Sequence, residues 1–237
     1  MSNGNKTQNR PQARDDIAYL SEDDGFIVID VLANDRGNPD ILWSLNQEDP
    51  TLQDYGRYTL PSGAQIQSTG IHHMAVYKTV GAFDYLAAGE TATDTFTYSI
   101  RLGDGTYSTA TVELLIYGVN DPASIAETSV YLTEGDSADD LSASGTVAIY
   151  DIDGPESFIP GTQEGYYGVF TIDEAGNWTY TSYSAHDEFE DGTYYGESFS
   201  IYAADGTHGA VGLNFLGTAD EPSMLSALGN PDLAAFV

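Results

Sequence analysis

The sequence predicts an all-β protein of two tandem β-sandwiches, and three observations carry the prediction. Short apolar or alternating runs are separated by Gly, Pro, Asn and Asp clusters at the spacing of about 8–12 residues typical of sandwich turns. The second half repeats the plan of the first. The alternating run at 94–100 returns at 197–202, Asp104-Gly105 at Asp205-Gly206, and Gly118-Val119-Asn120-Asp121-Pro122 at 217–222, offsets of 103, 101 and 99 residues. No long stretch of helical periodicity competes with this pattern. A chain of 237 residues gives each of two units enough length to bury its own core.

Taken in order, residues 1–14 are polar, lack an apolar core and read as a flexible arm, with no sign of a signal peptide or membrane anchor. The first domain is expected over 15–121. Residues 26–32 form a short apolar run that reads as a strand, and 33–40 read as a turn. Weaker strands are expected at 41–45, 57–60, 64–67 and 74–77. The clearest alternation puts Phe96, Tyr98 and Ile100 on one face and Thr and Ser on the other. Gly103-Asp104-Gly105 then turns the chain, and 109–117 returns as the second arm of a hairpin. The second domain is expected over 122–222. There, strands at 168–172 and 178–180 flank the loop Asp173-Glu174-Ala175-Gly176-Asn177, so that Phe170, Ile172, Trp178 and Tyr180 share one face. Residues 223–237 remain as a tail.

Thirty-seven acids against seven Lys and Arg give a formal charge of −30. That sign excludes a nucleic-acid binder, and self-repulsion on this scale opposes compaction unless bound cations offset it. Cysteine is absent, so there is neither a disulfide framework nor a thiolate metal site. No run is long and apolar enough to insert in a membrane.

The acids fall in turns, where they suit a hard cation. Ca²⁺ takes six to eight oxygens from flexible carboxylates and carbonyls. In the second unit the expected ligands are Asp121 in the joint, Glu134, the alternating pair Asp151 and Asp153, and Asp205, converging at one end of the sandwich. In the first they are Asp16, Glu22, Asn34, Asp35 and Asp104. Asn34-Asp35 replaces the alternating pair, which predicts a weaker first site. Read blandly, these are solvated turn acids. His72 and His73 are adjacent and point to opposite faces of a strand, which argues against zinc. No nucleophile elbow, phosphate loop or zincin signature appears, so the chain does not read as an enzyme.

The run Ala82-Phe83-Asp84-Tyr85-Leu86-Ala87-Ala88-Gly89-Glu90-Thr91-Ala92-Thr93-Asp94-Thr95-Phe96-Thr97-Tyr98, with the Gly118 to Pro122 ending, resembles the VCBS repeats of bacterial type I-secreted adhesins. Thr133-Glu134-Gly135-Asp136, the Asp151/Asp153 pair and Gly176-Asn177-Trp178-Thr179-Tyr180 make the second unit similar to a fuller copy. Two such modules and little else resemble the small Rap (Rhizobium-adhering) proteins. The resemblance implies two cadherin-like (Ig-like Greek-key) β-sandwiches in a secreted calcium-dependent lectin. Such a protein binds acidic exopolysaccharide or capsule and promotes aggregation or biofilm. The resemblance also implies type I secretion machinery as a partner, with 223–237 as the export signal. Tyr166, Tyr167, Tyr183, Tyr194 and Tyr195 lie near Gly-rich turns and are the glycan-binding candidates, since an aromatic face packs on a pyranose while the phenol stays wet. The alternative is a spacer of a larger adhesin, stiffened by Ca²⁺ and lacking a ligand site.

Overall fold

The computed structural model describes residues 12–36, 42–46, 56–69, 74–101 and 105–219. Asp104, the centre of the expected first-unit turn and the 223–237 tail lie outside them. The chain divides into two compact units. The first is Met1–Asp121 with Ile152–Gly154, and the second is Pro122–Asp151 with Pro155–Val237.

The first unit contains β1 (Asp16–Ser21), β2 (Phe26–Asp30), β3 (Leu42–Leu45), β4 (Arg57–Thr59), β5 (Gln65–Ser68), β6 (Met74–Lys78), β7 (Thr91–Arg101) and β8 (Tyr107–Tyr117). They form two sheets, ordered β1-β8-β7-β3 and β2-β6-β5-β4. The longest ladder is the β7–β8 hairpin, antiparallel from Thr91↔Tyr117 to Arg101↔Tyr107. Its alternation buries Phe96, Tyr98 and Ile100 against Ile66, Tyr77 and Val31 in one apolar core shared by both sheets. Burying each such large side chain contributes about 1.5–3 kcal/mol. Residues 12–14, expected in the arm, are held to the sandwich. Gln12 bridges Arg36, and the Ala13 amide donates to Ser108 Oγ at 3.0 Å.

The second unit contains β9 (Ser124–Ile125), β10 (Thr128–Thr133), β11 (Ala143–Thr146), β12 (Ile149–Tyr150), β13 (Gly161–Glu164), β14 (Gly168–Ile172), β15 (Asn177–Ser182), β16 (Tyr194–Tyr202) and β17 (His208–Leu216). Sheets β10-β17-β16 and β11-β15-β14-β13 enclose the core, and β12 and β9 form a short ribbon. Phe170, Ile172, Trp178 and Tyr180 are all buried, in the register Phe170↔Tyr180 and Ile172↔Trp178. Phe170 stacks on Phe199 of the facing sheet at 4.9 Å, an arrangement worth about 0.5–1.5 kcal/mol beyond area burial.

In both units the first long strand runs parallel to the last, β1 with β8 and β10 with β17. This closure brings the residue after the first strand to the place where the last strand leaves the sandwich. Glu22 follows β1 there, and Glu134 follows β10.

Candidate metal centres at the strand ends

The trailing end of each unit is built the same way. A glycine opens the exit from the last strand because no side chain fits. A Cβ at Gly118 would collide with the backbone carbonyls of Leu86 and Ala87, and one at Gly217 with the Glu190 carbonyl and the Phe189 side chain. The next residue then donates its amide to a buried glutamate. Val119 N–H reaches Glu22 Oε1 at 2.7 Å, and Thr218 N–H reaches Glu134 Oε2 at 2.8 Å. Glu22 is 3% exposed and Glu134 6%, yet in each the second oxygen, Glu22 Oε2 and Glu134 Oε1, has no hydrogen-bond partner. A buried carboxylate oxygen without a donor costs about 1–3 kcal/mol or more, so two at equivalent positions call for a positive ligand. Burial is the main force pushing the Glu22 carboxyl up. The Val119 amide opposes it, and the charges of Asp121, Asp23 and Asp84 add to it.

The predicted ligands divide differently from the sequence expectation. Glu22 belongs with Asp121 and Asp153, whose contact is Asp121 N–H to Asp153 Oδ2 at 3.1 Å, all within the first unit. Asp16, Asn34 and Asp35 gather at the leading end of that unit, separated from Glu22 by the length of β1, roughly 20 Å. In the second unit Asp205 takes the Ala123 amide at 2.9 Å and the Thr207 amide at 2.8 Å, while Asp151 is buried. Glu134 is not beside Asp205: nine residues of β17, about 30 Å, lie between the two ends. The sequence expectation therefore combined residues from opposite ends. The physical reason is that spacing along the chain fixes which turn a residue occupies but not which end of the sandwich that turn caps.

At the leading end of the first unit, Asn34 Nδ2 donates to the Asp15 carbonyl at 2.9 Å and to Asp16 Oδ1 at 3.0 Å. Asp35 Oδ1 accepts the Arg14 amide at 2.7 Å and the Tyr98 hydroxyl at 2.9 Å. Asp16 Oδ2, Asn34 Oδ1 and Asp35 Oδ2 are buried oxygens with no partner. Burial first, then the Asp35 charge, pushes the Asp16 carboxyl from its ordinary 3.8 to about 6. Burial also raises Asp35, against the pull of the Arg14 amide and Tyr98. All these donors are oxygens, which suits Ca²⁺ or Mg²⁺ and not a soft metal. Among the described residues, no three His, Asp or Glu side chains already stand grouped as around an ion.

The tyrosine candidates also divide. Tyr166, Tyr183 and Tyr194 are exposed, at 90%, 54% and 68%. Tyr195 instead stacks on Phe189 at 4.0 Å, and Tyr167 sets its edge against Phe189, Phe215 and His186, so both serve packing. His186 was not among the sequence candidates. It is buried, adopts φ +62°, and places Nδ1 at 2.7 Å from Glu188 Oε1 and Nε2 at 2.9 Å from the Tyr167 carbonyl. Two acceptors on two ring nitrogens favour the doubly protonated ring. Burial acts against that charge, but the bonds to Glu188 and Tyr167 prevail and the imidazole is raised.

Strand order and cores define an all-β protein of two tandem β-sandwiches. Drosophila N-cadherin EC1-4 is similar at 14% identity and TM-score 0.46, over 86% of this chain and 49% of that one. Protocadherin gamma B7 extracellular cadherin domains 1-4 is similar at 15% identity and TM-score 0.40, over 90% and 52%. Human CDH23 EC21-23 is similar at 13% and 0.45, over 86% and 67%. The chain thus spans about half the length of the first two. No protein-family model and no curated protein matches the sequence.

Proposed function

We propose that the protein is a secreted, calcium-dependent lectin of the VCBS and Rap type, a binding protein and not an enzyme. It binds acidic exopolysaccharide or capsule and promotes aggregation or biofilm. The observation that carries the calcium reading is the repeated buried glutamate, Glu22 and Glu134, each with one oxygen on the exit strand and one without a donor. In the first unit Glu22, Asp121 and Asp153 would hold one ion, and Asp16, Asn34 and Asp35 another. In the second, Glu134, Asp151 and Asp205 supply carboxylates at its two ends. Bound Ca²⁺ lowers the net charge that otherwise repels an acidic glycan from a chain at −30, and either bridges the glycan carboxylates or orders the part of the chain that binds them.

The glycan part draws support from the exposed Tyr166, Tyr183 and Tyr194. A second reading, a calcium-stiffened spacer, is favoured by the exit clamp itself, which fixes the backbone of both units whether or not a ligand is present. Calorimetric titration of chelated protein with Ca²⁺, followed by acidic polysaccharide, separates the two. The lectin binds only after calcium and prefers acidic over neutral glycans. Binding that persists unchanged in EDTA would exclude bridging, and calcium binding without any glycan heat would establish the spacer.

A further inference from the structure

We infer that the outward face of the β10-β17-β16 sheet is the glycan platform, on which an acidic polysaccharide lies across the strands between Tyr131 and Tyr194. This rests on the lectin reading above and specifies where the sugar sits.

Charge distribution carries it. A polyanion is repelled by the chain as a whole. Along β16 the outward side chains are Tyr194, Ser198, Ser200 and Tyr202, with Gly196 among them. Along β17 they are His208, Ala210, Asn214 and Leu216 around Gly212, and along β10 they are Ser129, Tyr131 and Thr133. None is an acid. The carboxylate of β16, Glu197, faces inward and accepts the Tyr180 hydroxyl at 2.5 Å and the Tyr166 amide at 2.7 Å. A nine-residue strand is about 30 Å long, so loop acids at its ends stand roughly 15 Å from central Ser198, beyond the Debye length of about 8 Å. Glu127, just before β10, is the one acid among the residues that line the groove described below. The corresponding face of the first unit lacks this property, since Glu113 stands outward in the middle of β8. The other sheet of the second unit presents Thr171, Thr179 and Thr181 outward but no aromatic ring from its strands.

Sugar recognition needs ring faces to pack on and polar groups beside them. Tyr131 is 73% exposed and Tyr194 68%, on the two outer strands of the sheet. The register Tyr131↔Asn214↔Gly196, with Tyr194 two residues along from Gly196, sets them roughly 12 Å apart at ordinary strand spacing. By register Asn214 and Leu216 of β17 lie between them, and beside that line Gly196 and Gly212 leave a low floor bordered by Ser129 and Ser198. That floor continues into a groove of about 490 Å³ lined by Ser129, Ser198, His208 and Gly212 among others. The His208 ring is packed edge-on to Tyr202 at 5.3 Å, which presents an imidazole at the far end of the face.

The test uses the full chain in Ca²⁺ against immobilised xanthan, gellan and hyaluronan, all glucuronate-bearing, with dextran as the neutral control. Tyr131→Ala with Tyr194→Ala should weaken binding at least tenfold. Ser198→Asp should weaken it comparably by placing a carboxylate at the centre of the face, while Ser198→Lys should retain or strengthen it. Near-UV circular dichroism and calcium-dependent melting check that each variant folds. If the wild type binds and these variants bind equally well, the platform is overturned while the lectin reading stands. If the wild type binds none of the acidic glycans, the lectin reading fails and the platform with it. A wild-type dimer that Tyr131→Ala dissolves, with glycan binding intact, would overturn the inference by assigning the face to a second copy of the chain.

Discussion

Replacing Asp16 with Asn should stabilise the cation-free protein at neutral pH, although it removes a charged residue from a hydrogen-bonded site. Asp16 sits beside Asp35, and burial together with that charge lifts its carboxyl from 3.8 to about 6. A raised carboxyl pKa contributes stability below the unfolded value, and that stability is lost as pH rises through the folded one. The cation-free fold should therefore weaken between about pH 4 and pH 6.5 in respect of this group. A shift of roughly two units corresponds to about 3 kcal/mol, but Asp16 is only partly buried, and solvent screening reduces the expected effect to about 1 kcal/mol. For a domain of this size that is a rise in Tm of about 4 °C at pH 7. Asn keeps the acceptor for Asn34 Nδ2 and turns a donor toward Asp35. Thermal melting in EDTA at pH 4 and pH 7 should show wild type and variant alike in acid, and the variant the more stable at neutral pH. In millimolar Ca²⁺ the order should reverse. A variant less stable than wild type in EDTA at pH 7 would refute the argument.

Millimolar Ca²⁺ added to chelated wild type should sharpen the near-UV signal of Tyr and Trp and raise Tm; identical melts with EDTA and Ca²⁺ would remove the metal reading. Glu22→Gln and Glu134→Gln should each abolish one calcium-linked amide shift, at Val119 and Thr218 respectively, by heteronuclear NMR, and a variant that leaves its own shift in place would acquit that glutamate. The His186 contribution to stability, carried by its raised pKa, should be present below about pH 6.5 and lost as pH rises past the folded value. His186→Asn, which tolerates the left-handed backbone, should erase that dependence and cost about 1–3 kcal/mol in denaturant melts. Tyr180→Phe removes a hydroxyl donor to the Glu197 carboxylate and should cost about 1.5–3 kcal/mol in the same assay.

The fold was legible where periodicity was strong. The alternation around Phe96, Tyr98 and Ile100 gave the β7 strand, and the Trp178 and Phe170 runs gave the β14–β15 hairpin with its inward face. The runs at β10 and β13 were missed because their inward positions, Val130 and Leu132 in one and Gln163 in the other, are few or polar and make a weak signal. At the sites, residue type was readable and grouping was not. Glu22 and Glu134 stood out only as acids in turns. Their pairing with Val119 and Thr218 depends on the parallel closure of first strand on last, a contact across 97 residues in one case and 84 in the other. The repeated Gly118 and Gly217 were the available clue, because a glycine just before both amides marks a close backbone approach. His186 gave no signal at all: its importance lies in two acceptors brought to it by the fold.

The arrangement also bears on the proposal that the fold of so acidic a chain responds to cations. The acids of the second unit are kept off the outer face of the β10-β17-β16 sheet and concentrated at strand ends, where local repulsion is greatest. Glu134 there, like Glu22 in the first unit, is buried with one oxygen bonded to the backbone and the other without a donor. Protonation would relieve it, and for Glu22 burial pushes the carboxyl up toward that state. A bound cation would satisfy it as well, and the backbone bond made by the first oxygen would hold the carboxylate in place to receive it. The same side chains therefore weaken the bare fold and make it responsive. Removing the charge, as in Glu22→Gln, would relieve the bare fold but leave the exit strand with nothing for a cation to hold.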